Sequence, residues 1–135
     1  MPAKDRYHDT VKRALVKDGW TIDSEQVLFV IANRHVWIDI QASRAAEAVT
    51  ILIEVKGFEG PSQVEQLVEA VGKYTVYRAV IDDGGGENIL LYLAIPEKAY
   101  RGVLEEPIGI IARRQAQLKL LVFDPESEEV TEWIR

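Results

Sequence analysis

The stretch Val49–Val55 constrains the fold of this chain more than any other. It is apolar at both alternating sets of positions and carries a single charged residue, Glu54. Continuous apolar runs of this length are typical of a strand in the middle of a sheet that is covered on both faces. The sequence therefore predicts a layered α/β protein whose central strand must accommodate a carboxylate.

The segments around this strand predict a mixed β-sheet flanked by helices. We expect the order α-β-β-β-α-β-α-β-β in one domain over residues 1–135, with the third helical region broken in two at Pro107. Helices are predicted at 4–18, 61–80, 97–104 and 107–117, and strands at 20–22 with 27–32, 35–40, 49–55, 89–95, 118–123 and 129–134.

Charge and composition narrow the function classes. The net charge of −6 argues against a protein that coats nucleic acid non-specifically, because such binding needs a basic surface. The absence of cysteine excludes disulfides and thiolate metal sites. The sequence has neither the run of about 18 apolar residues that a membrane span requires nor a leader in residues 1–17. We therefore expect a cytoplasmic protein without membrane contact.

Three charged residues, Asp39, Glu54 and Lys56, are the main candidates for a functional site. Side chains alternate along a strand, so Glu54 and Lys56 share one face. If strands 35–40 and 49–55 pair as an antiparallel hairpin, Asp39 lies opposite or diagonal to Glu54. Such partners are roughly 5–8 Å apart at Cβ, a separation that one cation can bridge. The pattern predicts a metal site with Asp39 and Glu54 as ligands.

The residue types indicate which chemistry this site would support. Mg²⁺ or Mn²⁺ binds one or two carboxylates together with waters and phosphate oxygens, and a bound cation activates water and polarises a phosphodiester. Lys56 would then stabilise negative charge in the transition state. The alternative interpretation is an ion pair of Glu54 with Lys56 at the end of the strand, with Asp39 in solvent.

His8 is a further candidate. It could reach the metal site if the first helix packs beside the two acids; the alternative is a partly buried histidine that makes one hydrogen bond. The clustered cations of 12–17 and 113–119 could contact phosphates, although helix surfaces often carry such clusters.

Short stretches spread over nearly the whole chain occur in a distinctive combination. They are 3–5 with His8, 11–12, 14–15, 17–22, 38–40, 53–56, 77–78, 92–96, 117–120, 122–125 and 133–134. In these stretches the chain resembles the XisH family, the excision controlling factors of the fdxN element of heterocyst-forming cyanobacteria.

The resemblance implies a restriction-endonuclease-like fold of the PD-(D/E)XK superfamily and a role in developmentally controlled DNA excision. It also implies a companion protein similar to XisI. The sequence departs from the expected pattern at Lys73, which stands between Gly72 and Tyr74 where the superfamily pattern has a glutamine. Lys73 could contact a phosphate instead.

Two functions from different classes follow. The first is a metal-dependent DNA endonuclease, or a nuclease-derived DNA-processing factor, that uses Asp39, Glu54 and Lys56. The second is a non-catalytic regulatory module that acts with a XisI-like partner in site-specific DNA excision. A small-molecule α/β enzyme is a third interpretation, but the sequence has no cofactor motif for it. The predicted edge strand 129–134 could pair with a second copy and form a homodimer.

Overall fold

The protein is described by a computed structural model over residues 4–86 and 88–135, so Ala3 of the first matching stretch lies outside the described residues. Within these ranges the chain forms a six-stranded sheet with helices on both faces. The helices are α1 (His8–Lys17), α2 (Gln63–Asp83), α3 (Glu97–Arg101) and α4 (Pro107–Ala116), with 3-10 turns at Ala45–Glu47 and Val103–Glu105. The strands are β1 (Thr21–Ile31), β2 (Arg34–Arg44), β3 (Val49–Val55), β4 (Leu90–Pro96), β5 (Leu120–Asp124) and β6 (Glu129–Ile134).

The six strands lie in the sheet in chain order, so β1 and β6 are its edges. Pairing is antiparallel for β1–β2, β2–β3 and β5–β6, and parallel for β3–β4 and β4–β5. Parallel neighbours need a crossover connection, which α2 supplies between β3 and β4, and α3 with α4 between β4 and β5. The predicted mixed sheet with flanking helices is confirmed.

Two hydrophobic cores cover the two faces of the sheet. The core under α2 and α4 includes Leu67 and Tyr74, and the core under α1 includes Val11 and Leu15. Residues 51–55 of β3 are all buried, which explains why this strand is apolar at both sets of positions. Among the described residues, no helix is both long and apolar enough to cross a membrane.

The strands of the first hairpin are longer than the sequence predicted. Two short stretches at 20–22 and 27–32 form one continuous strand, β1. The polar segment 41–48, expected to be a connection, mostly extends β2 to Arg44, and only the 3-10 turn and Ala48 at φ 53° remain outside the strands. The reason is that Gln41, Ser43 and Arg44 are only partly buried, so pairing with β3 tolerates these polar side chains.

The helix boundaries also differ from the predicted ones. Helix α1 begins at His8 rather than at residue 4. Helix α2 begins at Gln63, because Ser62 caps it by accepting a hydrogen bond from the Glu65 amide at 3.2 Å. Such side-chain caps satisfy an amide that has no partner within the helix. Pro61 therefore precedes the helix instead of occupying its first turn.

The buried face of α2 is rotated from the one that the sequence suggested. The helical spacing of Val64, Leu67, Val68, Val71 and Tyr74 predicts one apolar face, but Val64 and Val68 are 45% and 66% exposed. The buried residues of α2 are Leu67, Ala70, Tyr74 and Ile81. Tyr74 fixes this orientation, because its hydroxyl donates to the Leu91 carbonyl at 2.9 Å and accepts from the Lys119 amide at 3.2 Å. The rotation turns a different set of α2 side chains toward β2 and β3.

Candidate metal centre beside the central strand

Asp39 and Glu54, here called the buried acidic pair, lie next to each other where β2 and β3 separate. Ile40 pairs with Ile53 at the end of the antiparallel ladder, and one further step in this register brings Asp39 beside Glu54. The Asp39 Oδ2 atom accepts a hydrogen bond from the Val55 amide at 2.8 Å. Both residues are buried, with 8% and 5% of their surface exposed. The hairpin predicted from the sequence therefore brings these two acids together.

The environment of the buried acidic pair favours protons or cations. Burial, followed by the neighbouring charge of Asp39, raises the pKa of Glu54 from its ordinary 4.5 to about 8. Burial also raises the pKa of Asp39, and the hydrogen bond from the Val55 amide opposes this effect. Two carboxylates in such a place are costly to ionise together without a positive partner.

The donor atoms of the pair fit a hard divalent cation. Within residues 4–86 and 88–135, Glu54 Oε1 is buried and has no hydrogen-bond partner, so it can accept a ligand. Mg²⁺ and Mn²⁺ prefer such carboxylate oxygens. The nearest cation of the polypeptide is Lys73, whose Nζ lies 3.8 Å from Glu54 Oε2. The predicted ligands are therefore close together and incompletely neutralised.

Lys56 does not pair with the acid two residues before it. Its Nζ donates to Glu69 Oε1 at 2.7 Å, on helix α2. The alternative interpretation of a Glu54–Lys56 ion pair with Asp39 in solvent is therefore wrong, because Lys73 takes the place beside Glu54 and Asp39 is buried. Both lysines named from the sequence thus lie at the site, each paired with a carboxylate.

A cavity of about 320 Å³ opens beside the buried acidic pair. Helix α2 contributes Glu69, Lys73 and Tyr77, which recur every four residues and so share one helix face. Burial, and then the charges of the two acids, raises the pKa of Tyr77 to about 12, so its hydroxyl stays protonated at neutral pH. The lining residues are Lys4, Asp5, His35, Val36, Trp37, Asp39, Glu54, Val55, Lys56, Glu69, Lys73 and Tyr77.

His8 is buried but makes its hydrogen bond outside the acidic pair. Its Nε2 lies 2.9 Å from Glu25 Oε1 on β1, and only 1% of its side chain is exposed. Potential ligand atoms of His8, Asp9 and Glu25 also lie within 4.8 Å of one another. Lys12 donates to Glu25 at 2.9 Å, so this group already has a cation. Among the described residues, His8 has no hydrogen bond to Asp39 or Glu54.

Several residues of the site were not predicted from the sequence. Asp5 joins the start of the chain to the end of β3, because its Oδ2 accepts from the Gly57 amide at 3.0 Å. Glu69 and Tyr77 were also missed. The four-residue spacing of Glu69 and Tyr77 with Lys73 was a usable signal, but it gained meaning only once the rotation of α2 was known.

Comparison with known proteins identifies related chains and related structures. The model of the XisH protein family matches residues 1–131. An XisH family protein from Nostoc punctiforme PCC 73102 is 30% identical over 97% of this chain and 100% of its own, with a TM-score of 0.89. An fdxN element excision controlling factor protein from Anabaena variabilis is 29% identical over 98% of this chain and 100% of its own, also with a TM-score of 0.89. No curated protein matches the chain.

Proposed function

Because the chain belongs to the XisH family, we propose that it is a DNA-element excision controlling factor that cleaves phosphodiester bonds as a metal-dependent endonuclease. One observation carries this proposal: the buried acidic pair faces a cavity that is also lined by three lysines, Lys4, Lys56 and Lys73. A site of this composition suits a cation and a phosphate bound side by side.

The residues of the site have distinct roles in this proposal. Asp39 and Glu54 would hold Mg²⁺ or Mn²⁺, which supplies Lewis-acid polarisation and a lowered pKa for bound water. The Val55 amide orients Asp39 by its hydrogen bond to Oδ2. Lys73 and Lys56 place ammonium groups in the cavity, where they would bind phosphate oxygens and stabilise developing negative charge. Glu69 holds Lys56 in position until a phosphate competes for it.

The topology is compatible with the restriction-endonuclease-like superfamily. Helix α1, the three strands β1–β3, helix α2 and strand β4 follow one another in the order expected for that core. The two candidate acids lie on adjacent strands of this unit, and Lys56 follows Glu54 at the spacing of the Glu-x-Lys pattern. We therefore assign the fold to the PD-(D/E)XK type as part of the proposal.

A nicking assay tests the activity directly. Supercoiled plasmid is incubated with the purified chain and Mg²⁺ or Mn²⁺, and the open-circular product is quantified. Glu54→Gln should lower the rate at least about 100-fold, because a bound metal lowers the activation barrier by several kcal/mol. Glu65→Gln is the matched control, since Glu65 is exposed on α2 and outside the cavity. Undiminished nicking by Glu54→Gln would contradict the proposal.

A second candidate function is a non-catalytic regulatory module that works with a XisI-like companion. The tip of the β1–β2 hairpin favours it, because Leu28, Val30 and Ile31 expose 41%, 53% and 43% of their surface. Exposed apolar side chains in one place often mark a protein contact. Loss of companion binding on Val30→Asp, without nicking by the native chain under either metal, would support this function instead.

A further inference from the structure

Among the described residues, four buried side-chain atoms have no hydrogen-bond partner. They are Nδ1 of His8, Oε1 and Nε2 of Gln26, and Oε1 of Glu54. A buried polar group without a partner costs about 1–3 kcal/mol, and most such groups in native proteins are paired. Unpartnered polar atoms on three buried side chains raise the question of whether they share a polar ligand that the polypeptide does not itself provide.

Gln26 lies beside Asp39 on the neighbouring strand. The residues on either side of Gln26 in β1 pair with the residues on either side of Asp39 in β2. Paired strands are about 4.8 Å apart, so Gln26, Asp39 and Glu54 form a polar row across β1, β2 and β3. The side chain of Gln26 is only 8% exposed, although glutamine is usually a surface residue.

The backbone of β1 is distorted at this glutamine. Gln26 has φ 52°, a left-handed conformation that is uncommon for residues other than glycine. The strand turns over at this point, because Glu25 contacts His8 of α1 whereas Val27 packs against the core under α2. An unfavourable backbone that buries an unpaired amide supports a functional role for the residue.

His8 presents a free ring nitrogen in the same region. When its Nε2 donates to Glu25, Nδ1 is left as a buried acceptor without a partner. Histidines at metal centres commonly donate one ring nitrogen to a carboxylate in this way. The partner of His8, Glu25, directly precedes Gln26 and pairs with Ile40, the residue after Asp39. The register therefore places His8 next to the strand positions of Gln26 and Asp39.

We propose that Gln26 and His8 bind water molecules of a hydrated divalent cation held by Asp39 and Glu54. Mg²⁺ keeps several of its waters when it binds to proteins. The Gln26 amide supplies both a donor and an acceptor, and His8 Nδ1 supplies an acceptor. This inference rests on the proposed metal centre and adds two positioning residues to it. Such outer partners typically contribute 10–100-fold to metal affinity.

Calorimetric titration of the full chain with Mn²⁺ tests the role of Gln26. Gln26→Met removes the amide at nearly constant side-chain length, and should weaken Mn²⁺ binding about tenfold or more. Gln117→Met is the matched control, because Gln117 also has φ 52° but is exposed at the end of α4. The control should bind Mn²⁺ like the native chain, which separates the lost amide from any change in backbone strain.

Gln26→Glu should change the Mn²⁺ affinity in the opposite direction. It also keeps the role of Gln26 testable if Gln26→Met does not fold. The added carboxylate should tighten Mn²⁺ binding about tenfold and so increase the Mn²⁺-induced rise in melting temperature. If both Gln26 variants bind Mn²⁺ as tightly as the native chain while Glu54→Gln loses binding, the role of Gln26 is overturned. The metal centre itself is then still supported. Native affinity in His8→Phe would overturn the role of His8. A native chain that binds no Mn²⁺ would overturn the metal centre as well.

Discussion

Two regions of the molecule surround carboxylates in contrasting ways. Asp18, after α1, is partly exposed, and its Oδ2 accepts from three donors: Trp133 Nε1 at 3.1 Å, Trp20 Nε1 at 3.3 Å and Arg44 Nη2 at 3.3 Å. Glu54 Oε1 of the buried acidic pair accepts no hydrogen bond from the described residues, and both acids have raised pKa values. The first carboxylate is neutralised by donors of the chain, whereas the second region, in our proposal, is completed by a cation.

The two regions differ in how many hydrogen-bond partners the chain supplies to each carboxylate. Hydrogen-bond donors stabilise the charged form of a carboxylate. The three donors to Asp18 therefore stabilise the fold. An incompletely paired buried acid destabilises the ligand-free state, and binding of a cation would offset this destabilisation. Substitutions should therefore have opposite effects on the stability of the two regions.

The largest effect on stability is expected in the structural region. Trp133→Ala removes a ring that packs 4.9 Å from Tyr92 and 5.7 Å from Trp20, measured between ring centroids, and it also removes a donor to Asp18. We expect a loss of about 3 kcal/mol in the free energy of unfolding, measured with urea. Mn²⁺ binding per folded molecule should be unchanged. A loss below about 1 kcal/mol would show that this cluster contributes little to stability.

The acidic pair should give the fold an unusual pH dependence when metal is removed with a chelator. Because the pKa of Glu54 rises from 4.5 unfolded to about 8 folded, the folded chain holds a proton that the unfolded chain releases between these values. Stability from this group is therefore fully present below about pH 4.5 and decreases as the pH rises toward 8. We expect the free energy of unfolding to fall steadily across this pH range, measured by urea unfolding at several pH values.

Glu54→Gln is the control for this pH effect. The amide cannot ionise, so the decrease between pH 4.5 and 8 should be largely abolished and the variant should exceed the native chain in stability at pH 8. Saturating Mn²⁺ should restore native stability at that pH but leave the variant unchanged. Identical pH profiles for the two chains would contradict the environment assigned to Glu54.

The juxtaposition of the two acids followed from simple rules of strand geometry. An apolar run around Glu54 indicated a buried central strand, and a short connection to the strand with Asp39 indicated antiparallel pairing. The structure brings these residues together, and their role as metal ligands stays a prediction. The buried position of His8 also had a sequence signal, because it shares helical spacing with Val11 and Leu15.

Other features of the site could not be read from the sequence, because they depend on tertiary packing. The partner of Lys56 is set by the rotation of α2, which Tyr74 fixes through bonds to β4 and to the residue before β5. Gln26 gave no turn signal, since a left-handed φ is usually marked by glycine or asparagine. A local pattern predicts which residues share a face, but not how far a helix turns on a sheet.

The smallest effect on stability is expected for the ion pair that holds Lys56. Glu69→Gln removes a half-exposed partner, so the free energy of unfolding should change by less than about 1 kcal/mol. Glu59→Gln is the matched control, since Glu59 forms an equally short pair with Arg6 outside the cavity. Both variants should be similarly stable in urea, but only Glu69→Gln should alter the nicking rate, because it frees the Lys56 ammonium beside the acidic pair. Equal nicking rates in both variants would mean that Lys56 stabilises the fold and does not act in the site. Lys56 would then be grouped with the structural residues, as Asp18 is.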